Sequence, residues 1–215
     1  MCQAIAITAE PVELEQRYLI EKIMTYNANR HEIMPTETVS VVFEHPYQGR
    51  LMDDFRWGLL PYWAKDSVFM ETRTMLWKPI FDRILKKQRC IIPCSGFYVT
   101  KTEGKETVRA KITMRSGSFG IAGVYDVFRS GSGAEMRTCT MLTTQANAVV
   151  APYQRTMPAI LEEEHVEQWL AGKFNDPFEL HGMLKPMDAM RMIETQLETT
   201  ISDKMPFELR RPKTV

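Results

Sequence analysis

The chain opens Met-Cys-Gln-Ala-Ile-Ala-Ile-Thr, a thiol at the second position followed by alternating apolar residues. Loss of Met1 turns Cys2 into an amino terminus with two nucleophiles, an α-amine and a thiol, on one residue. With Met1 in place, Cys2 is a small hydrophobe at the head of an edge strand, since free cysteine is among the most buried residue types. These residues alone leave both readings open. Trp57 and Trp63 flank a turn marked by Gly58 and Pro61 in WGLLPYWAK, with Lys65 behind them. Two tryptophans so placed are either core or a stacking platform for a base with a cationic neighbour. Cys90 and Cys94 have a CxxxC spacing, but a zinc site needs a second ligand pair, and His31, His45, His165 and His181 are scattered. Both cysteines therefore read as core thiols, and no metal or cofactor is expected. A Cys–His pair at a recognisable spacing, as a thiol peptidase would need, is also missing.

The elements that must position these residues are those of an ordinary globular chain. It has 215 residues, 44% hydrophobic and 25% charged, enough for a full core without staples. Twenty-seven basic residues balance 27 acidic ones, which argues against binding nucleic acid by bulk charge and leaves room for a local basic groove. Residues 1–30 do not read as a secretory signal, and no apolar run reaches membrane-spanning length, so a cytoplasmic location with reduced thiols is expected. CQAIAIT, ETVSVVFE, RLMDDFRW, CIIPCSGFYVTK (interrupted by Pro93 and Gly96), TVRAKITMR, FGIAGVYDVFR and RTCTMLTT read as strands. PVELEQRYLIEKIMTY, WKPIFDRILKKQR and the stretch ending at Gly172 read as helices. The expected fold is a single α+β domain, a mainly antiparallel, barrel-like curled sheet with peripheral helices. From about residue 173 the pattern weakens, and the remainder reads as a C-terminal extension.

Six pieces, in order, carry a resemblance: the Met-Cys start, Trp-Gly-Leu-x-Pro-x-Trp-Ala at 57–64, an arginine-centred segment at 71–75, Cys-x-Ile-Pro-x-x-Gly-Phe-Tyr at 90–98, Ala-Gly-x-x-Asp at 122–126, and Thr-x-x-Ala-Asn followed by Met-Pro-x-Ile-Leu. Together they resemble the SOS response-associated peptidase (SRAP) family, whose members process abasic sites in DNA, over residues 2–171. The resemblance implies a compact α+β domain around a barrel-like sheet, removal of Met1, and Cys2 as the working residue. It implies single-stranded DNA with abasic sites as the partner and a hydrolytic step confined to the protein's own first residue; a monomer is expected. The chemistry suits an aldehyde such as the ring-opened abasic sugar. The α-amine, with an ordinary pKa near 8, is partly neutral at cellular pH and can form an imine. The thiol then closes a five-membered thiazolidine in what is effectively an intramolecular step.

The chain departs from the family pattern at three places. ETRTM (71–75) stands for Asn-Ala-Arg-Ala-Glu, so Arg73 matches the arginine near the phosphates while Glu71 replaces an asparagine. GFYVT (96–100) puts Val99 where the family has a glutamate that moves protons. QRTMP (154–158) puts Gln154 where the family has a histidine, and the arginine stands at Arg155. Valine cannot exchange a proton and glutamine cannot titrate. Two expectations follow: a slowed or purely DNA-binding relative, or a chain in which Glu71 supplies the missing carboxylate. The expected site comprises Cys2, Glu71 and Gln154 for the chemistry and Arg73, Arg155, Trp57 and Trp63 for DNA.

Overall fold

The computed structural model describes residues 4–60, 68–77, 79–129, 131, 133–172 and 176–201. The chain runs through β1 (Ala4–Ile7), α1 (Pro11–Tyr18), β2 (Lys22–Ile23), β3 (Arg30–Ile33), β4 (Thr38–His45) and β5 (Gly49–Trp57). There follow β6 (Phe69–Glu71), α2 (Thr72–Met75), a 3-10 turn (Pro79–Phe81), α3 (Asp82–Lys87), β7 (Arg89–Cys94), β8 (Gly96–Glu103) and β9 (Glu106–Met114). The last elements are β10 (Phe119–Arg129), β11 (Glu135–Gln145), β12 (Thr156–Pro158), α4 (Glu163–Leu170), α5 (Pro177–Met183), a 3-10 turn (Ala189–Arg191) and β13 (Met192–Ile201).

Five strands close a ring. β4 pairs with β5 and β7, β7 with β10, and β10 with β11, all antiparallel. A short parallel contact, Thr138 opposite Arg56 and Cys139 opposite Trp57, joins β11 back to β5. The second sheet is open and antiparallel, in the order β13-β9-β8-β1-β3. Strand alternation divides the apolar residues between two cores. Val39, Val41 and Phe43 of β4 and Cys90, Ile92 and Cys94 of β7 share a core with Ile5, Phe97, Val99 and Ile112 of the second sheet. Val42 and Ile91, on the opposite face, pack with Leu14, Leu85, Trp169 and Leu180 of the helices. The sequence expectation of a curled, mainly antiparallel sheet with outer helices is met by this arrangement.

Three segments differ from their sequence pattern for identifiable reasons. The helical spacing of 11–26 is obeyed only to Tyr18; Leu19 turns left-handed (φ 52°), and Glu21 and Met24 donate their amides to Arg50 and Met52 of β5 instead. CIIPCSGFYVTK is two strands in two sheets, and the break falls at Ser95, whose amide donates to the Ala6 carbonyl. The weakly patterned stretch after residue 173 includes β13, which pairs with β9 from Met192–Met114 to Ile201–Glu106, and it supplies Met187 and Met192 to the barrel core.

Trp57 stands at the ring closure. It is fully buried, lies edge-on to Phe69 at 5.4 Å between ring centroids, and donates its indole N–H to the Val68 carbonyl at 2.9 Å. Trp57→Ala is expected to lower the unfolding free energy by about 3–5 kcal/mol through lost contact and a residual cavity. Trp57→Phe should cost less, because it keeps a ring and the Val68 carbonyl still accepts from the Met141 amide at 3.2 Å. Denaturant unfolding checks this; a Trp57→Ala midpoint equal to wild type would remove the ring from the closure.

Candidate nucleic-acid interface

β11 leaves the ring near its C-terminal end. Its partner β10 stops at Met141, and beyond that point β11 is flanked by β12 (Thr143–Pro158, Thr144–Met157, Gln145–Thr156) and by β6, parallel (Met141–Phe69 to Thr143–Glu71). The last residue of β6 is Glu71, which is also the N-cap position of α2, so the next residues, Thr72 and Arg73, rise over the end of β11. On the other side the chain turns back from β11 into β12 and brings Arg155 alongside; the Ala146 amide donates to the Arg155 carbonyl at 3.0 Å. The result is a cleft of about 190 Å³ lined by Glu71, Thr72, Arg73, Thr143, Thr144, Gln145, Arg155 and Thr156.

Three of the residues expected from the sequence, Glu71, Arg73 and Arg155, thus meet in one cleft although Arg155 is far along the chain from the other two. All three are exposed. Most buried or half-buried arginines are tied to carboxylates: Arg50 to Glu44 and Glu167, Arg109 to Glu32, Arg137 to Asp53, Arg191 to Glu162. The side chains of Arg73 and Arg155 form no ion pair or hydrogen bond with any other described residue, and neither does that of Glu71. The cleft therefore holds two cations and one anion, unneutralised from within, in a chain whose total charge is zero. Such a cleft can take an anionic, hydroxyl-bearing chain, with arginine forks toward phosphate oxygens and threonine hydroxyls toward sugar or phosphate.

Gln154 lies at the rim between two cavities. Its neighbours Arg155 and Thr156 line the cleft, while Pro152 and Tyr153 line a second cavity of about 340 Å³ at the mouth of the open sheet, with Lys101, Glu103, Glu106, Val108 and Glu194. The Gln154 amide donates to the Thr156 carbonyl at 2.7 Å, which commits its N–H to the turn. Tyr153 donates to Glu194; burial, then this carboxylate, pushes the phenol up to about 12, so it is a donor across the physiological range. Val99 is fully buried, opposite Ala110 on β9 and two residues below Lys101 on β8. It belongs to the core under the mouth rather than to an exposed wall.

Asn147 was not singled out for a role by the sequence, yet it builds the turn. Its carbonyl oxygen accepts from the amides of Val149 and Val150 at 3.2 Å each, and its amide donates to the Met187 carbonyl at 2.7 Å. An asparagine heading a turn of this kind was a readable signal, because its side chain substitutes for backbone hydrogen bonds. The expectation that Trp57 presents a face to a base is corrected: its ring is enclosed at the barrel closure and only its surroundings reach the surface. Cys2 and Trp63 lie outside the described residues. Cys90, Cys94 and Cys139 are buried, and burial pushes the thiols of Cys90 and Cys139 well up, so these are packing residues, as their spacing suggested. Among the described residues no cluster of three or more His, Cys, Asp or Glu could hold a metal, and no helix is long and apolar enough to cross a membrane.

Comparison with known proteins agrees with the geometry. The chain is 29% identical over 213 residues to the abasic site processing protein YoqW of Bacillus subtilis, covering 94% of each chain. It is 31% identical over 180 residues to the abasic site processing protein YoaM of the same organism, covering 80% of this chain and 79% of that one. The fold matches the crystal structure of a protein from Bacteroides thetaiotaomicron with a TM-score of 0.80 at 22% identity, covering 92% of both chains. The model of the SOS response associated peptidase (SRAP) family matches residues 1–204, and the chain belongs to that family.

Proposed function

We propose that this protein, as a single-domain monomer, binds single-stranded DNA in the arginine cleft and captures the aldehyde of an abasic site through Cys2 once Met1 is gone. The observation that carries the reading is the cleft itself, where Arg73, Arg155 and Glu71 converge from three elements with no partner among the described residues. The relatives named as abasic site processing proteins support the substrate class. The cysteines support the nucleophile: of the four in the chain, the three described are buried.

The reaction balances without an oxidant. The neutral α-amine adds to C1′ of the ring-opened sugar, and loss of one water gives the imine. The thiol adds across the C=N bond, its sulfur to carbon and its proton to nitrogen, closing the thiazolidine. Arg73 and Arg155 hold the flanking phosphates. In this reading Glu71 takes and returns the proton in the dehydration step, since Val99 offers no proton and Gln154 cannot titrate. A second reading, a non-covalent single-strand binding module that keeps Met1, is favoured by this shortage of acid–base groups.

Intact mass separates the two readings at once: capture requires a chain beginning at Cys2. Cys2→Ala should then abolish the covalent band formed with an abasic single strand on a denaturing gel and leave non-covalent binding intact; an undiminished band rejects the nucleophile. The capture rate should rise with pH through the amine's ordinary pKa near 8, because only the neutral amine attacks. Glu71→Gln should slow capture by about 10²-fold or more if the carboxylate moves the proton; an unchanged rate removes it from the chemistry.

The phosphate contacts have their own readout. Each one on a single strand contributes about 0.7 to the slope of log affinity against log salt. Arg73→Ala and Arg155→Ala should each lower the slope by about that amount, and the double variant by about twice it. A slope that stays at the wild-type value places the strand elsewhere.

A further inference from the structure

Two large aromatic rings stand out on the surface, one of them four residues along the chain from Arg73. Trp77 is 53% exposed and Phe178 is 72% exposed, whereas Trp57 and Trp169 are fully buried. The two rings meet edge to face, centroids 5.0 Å apart and planes at 76°. An edge-to-face pair braces each ring while leaving a flat face uncovered. We infer that Trp77, braced by Phe178, is a base-stacking subsite for single-stranded DNA that continues the arginine cleft. This rests on the DNA-binding reading of the cleft and extends it to the bases, which the arginines do not touch.

The placement follows from α2. Arg73 lies in its single turn, and the helical hydrogen bonding carries on from Leu76 to the Thr72 carbonyl at 3.0 Å. Trp77 comes four residues after Arg73, just past the Leu76 cap that ends the helix, so the chain itself keeps the two within about 14 Å. A strand whose phosphate is held by Arg73 has its bases within reach of the indole. Phe178 is presented from α5, where Pro177 opens the helix and the Asp176 carboxylate accepts the Phe178 amide at 3.1 Å. That cap draws the Asp176 charge toward the helix end and holds the benzyl ring at the surface.

The chemistry selects the occupant. An aromatic face stacks with any base, since every base has a π-face, and a guanidinium four residues away matches the phosphate that accompanies each base. A protein partner would be served by a contiguous apolar patch. Here Met75, Leu76 and Leu180 are buried, and the exposed residues close by in sequence are charged or polar: Arg73 before Trp77, and Asp176, Glu179 and His181 around Phe178. Trp57, buried at the barrel closure, cannot do this stacking, and Trp77 is the described tryptophan that is open to a base.

The test uses the full chain and two oligonucleotides, one undamaged single strand and the same strand with one abasic site. Trp77→Ala should weaken equilibrium binding of the undamaged strand about 5- to 150-fold, the range for loss of one stacked base. Its salt slope should match wild type, because no phosphate contact is removed, whereas Arg73→Ala lowers the slope. Trp77→Phe should recover most of the affinity, and Phe178→Ala should give a smaller loss of the same kind. The position is exposed, so the unfolding midpoint should hold, which excludes a folding effect. Wild-type affinity in Trp77→Ala, a changed salt slope in that variant, or no binding of the undamaged strand by the wild type would overturn the subsite. The two readings fail separately. If Cys2→Ala still forms the covalent band while Trp77→Ala loses the undamaged strand, the capture reading fails and the subsite stands. If Cys2→Ala abolishes the band and Trp77→Ala binds as wild type, the reverse holds.

Discussion

The parallel contact between β11 and β5 is the constraint on which the rest of the structure depends. Only Thr138–Arg56 and Cys139–Trp57 make it, reinforced where the Gly58 amide donates to the Cys139 carbonyl at 2.7 Å. It turns a curled sheet into a closed ring and so removes two open edges. Closure also fixes where β11 must stop being a barrel strand. Past Met141 its edges belong to β12 and β6, which carry Thr156 and Glu71, and the cleft is the gap between them. The indole of Trp57 sits at this seam and donates to Val68 on the chain leading into β6, so one buried residue couples barrel closure to the strand that presents Glu71. A tryptophan expected to touch DNA is instead part of what sets the cleft's position.

Charge is partitioned rather than accumulated. Arg50 shows one use: almost buried, it reaches Glu44 and Glu167 at 2.6 Å and the Tyr18 carbonyl at 2.7 Å, tying α1, α4 and the β4–β5 hairpin together. Desolvation of such a cation is offset only because several acceptors surround it. Arg73 and Arg155 show the other use, exposed and with no acceptor among the described residues. A neutral chain can in this way keep a local positive field without the non-specific affinity of a basic protein. Under the proposed function, a strand would have to match a cleft with threonine hydroxyls and one carboxylate as well as the two arginines, a selection that a bare polycation does not make.

The fold class was readable because β4, β7, β10 and β11 are short apolar or β-branched runs bounded by turn residues, a pattern that marks strand state; both of their faces are buried, so it does not mark the face. Cys90 and Cys94 were readable as core thiols because no second pair of metal ligands accompanies them, and they do lie in the barrel core together with Cys139. The helix over 11–26 was over-read because Leu14, Tyr18 and Ile23 satisfy helical spacing whether or not the backbone continues. What ended it was the edge of β5, a partner distant in sequence. Arg73, Glu71 and Arg155 were legible through a resemblance, motif by motif, but their convergence was not, since it depends on a strand register. Trp77 had no pattern at all. Its neighbours in the chain do not distinguish an exposed ring from a packed one, and only α5, a hundred residues on, decides that Phe178 stands beside it.

The same separation explains how the site can carry unusual residues at 71, 99 and 154. Val99 packs in the core that the barrel and the open sheet share, and there a carboxylate would have to be desolvated and its pKa raised. Valine at that position favours packing over proton transfer. Gln154 donates to the carbonyl of Thr156 and so steadies the turn that carries Arg155, a service its neutral amide performs at any pH. The residue left with a carboxylate at the cleft is Glu71, exposed at the end of β6 and the start of α2. Moving the carboxylate from a buried strand position to an exposed helix start would trade a finely tuned acid for a stable core. Under the proposed function, binding would rest on the arginines and the stacking surface, and the pace of capture on one carboxylate and the neutral fraction of one amine.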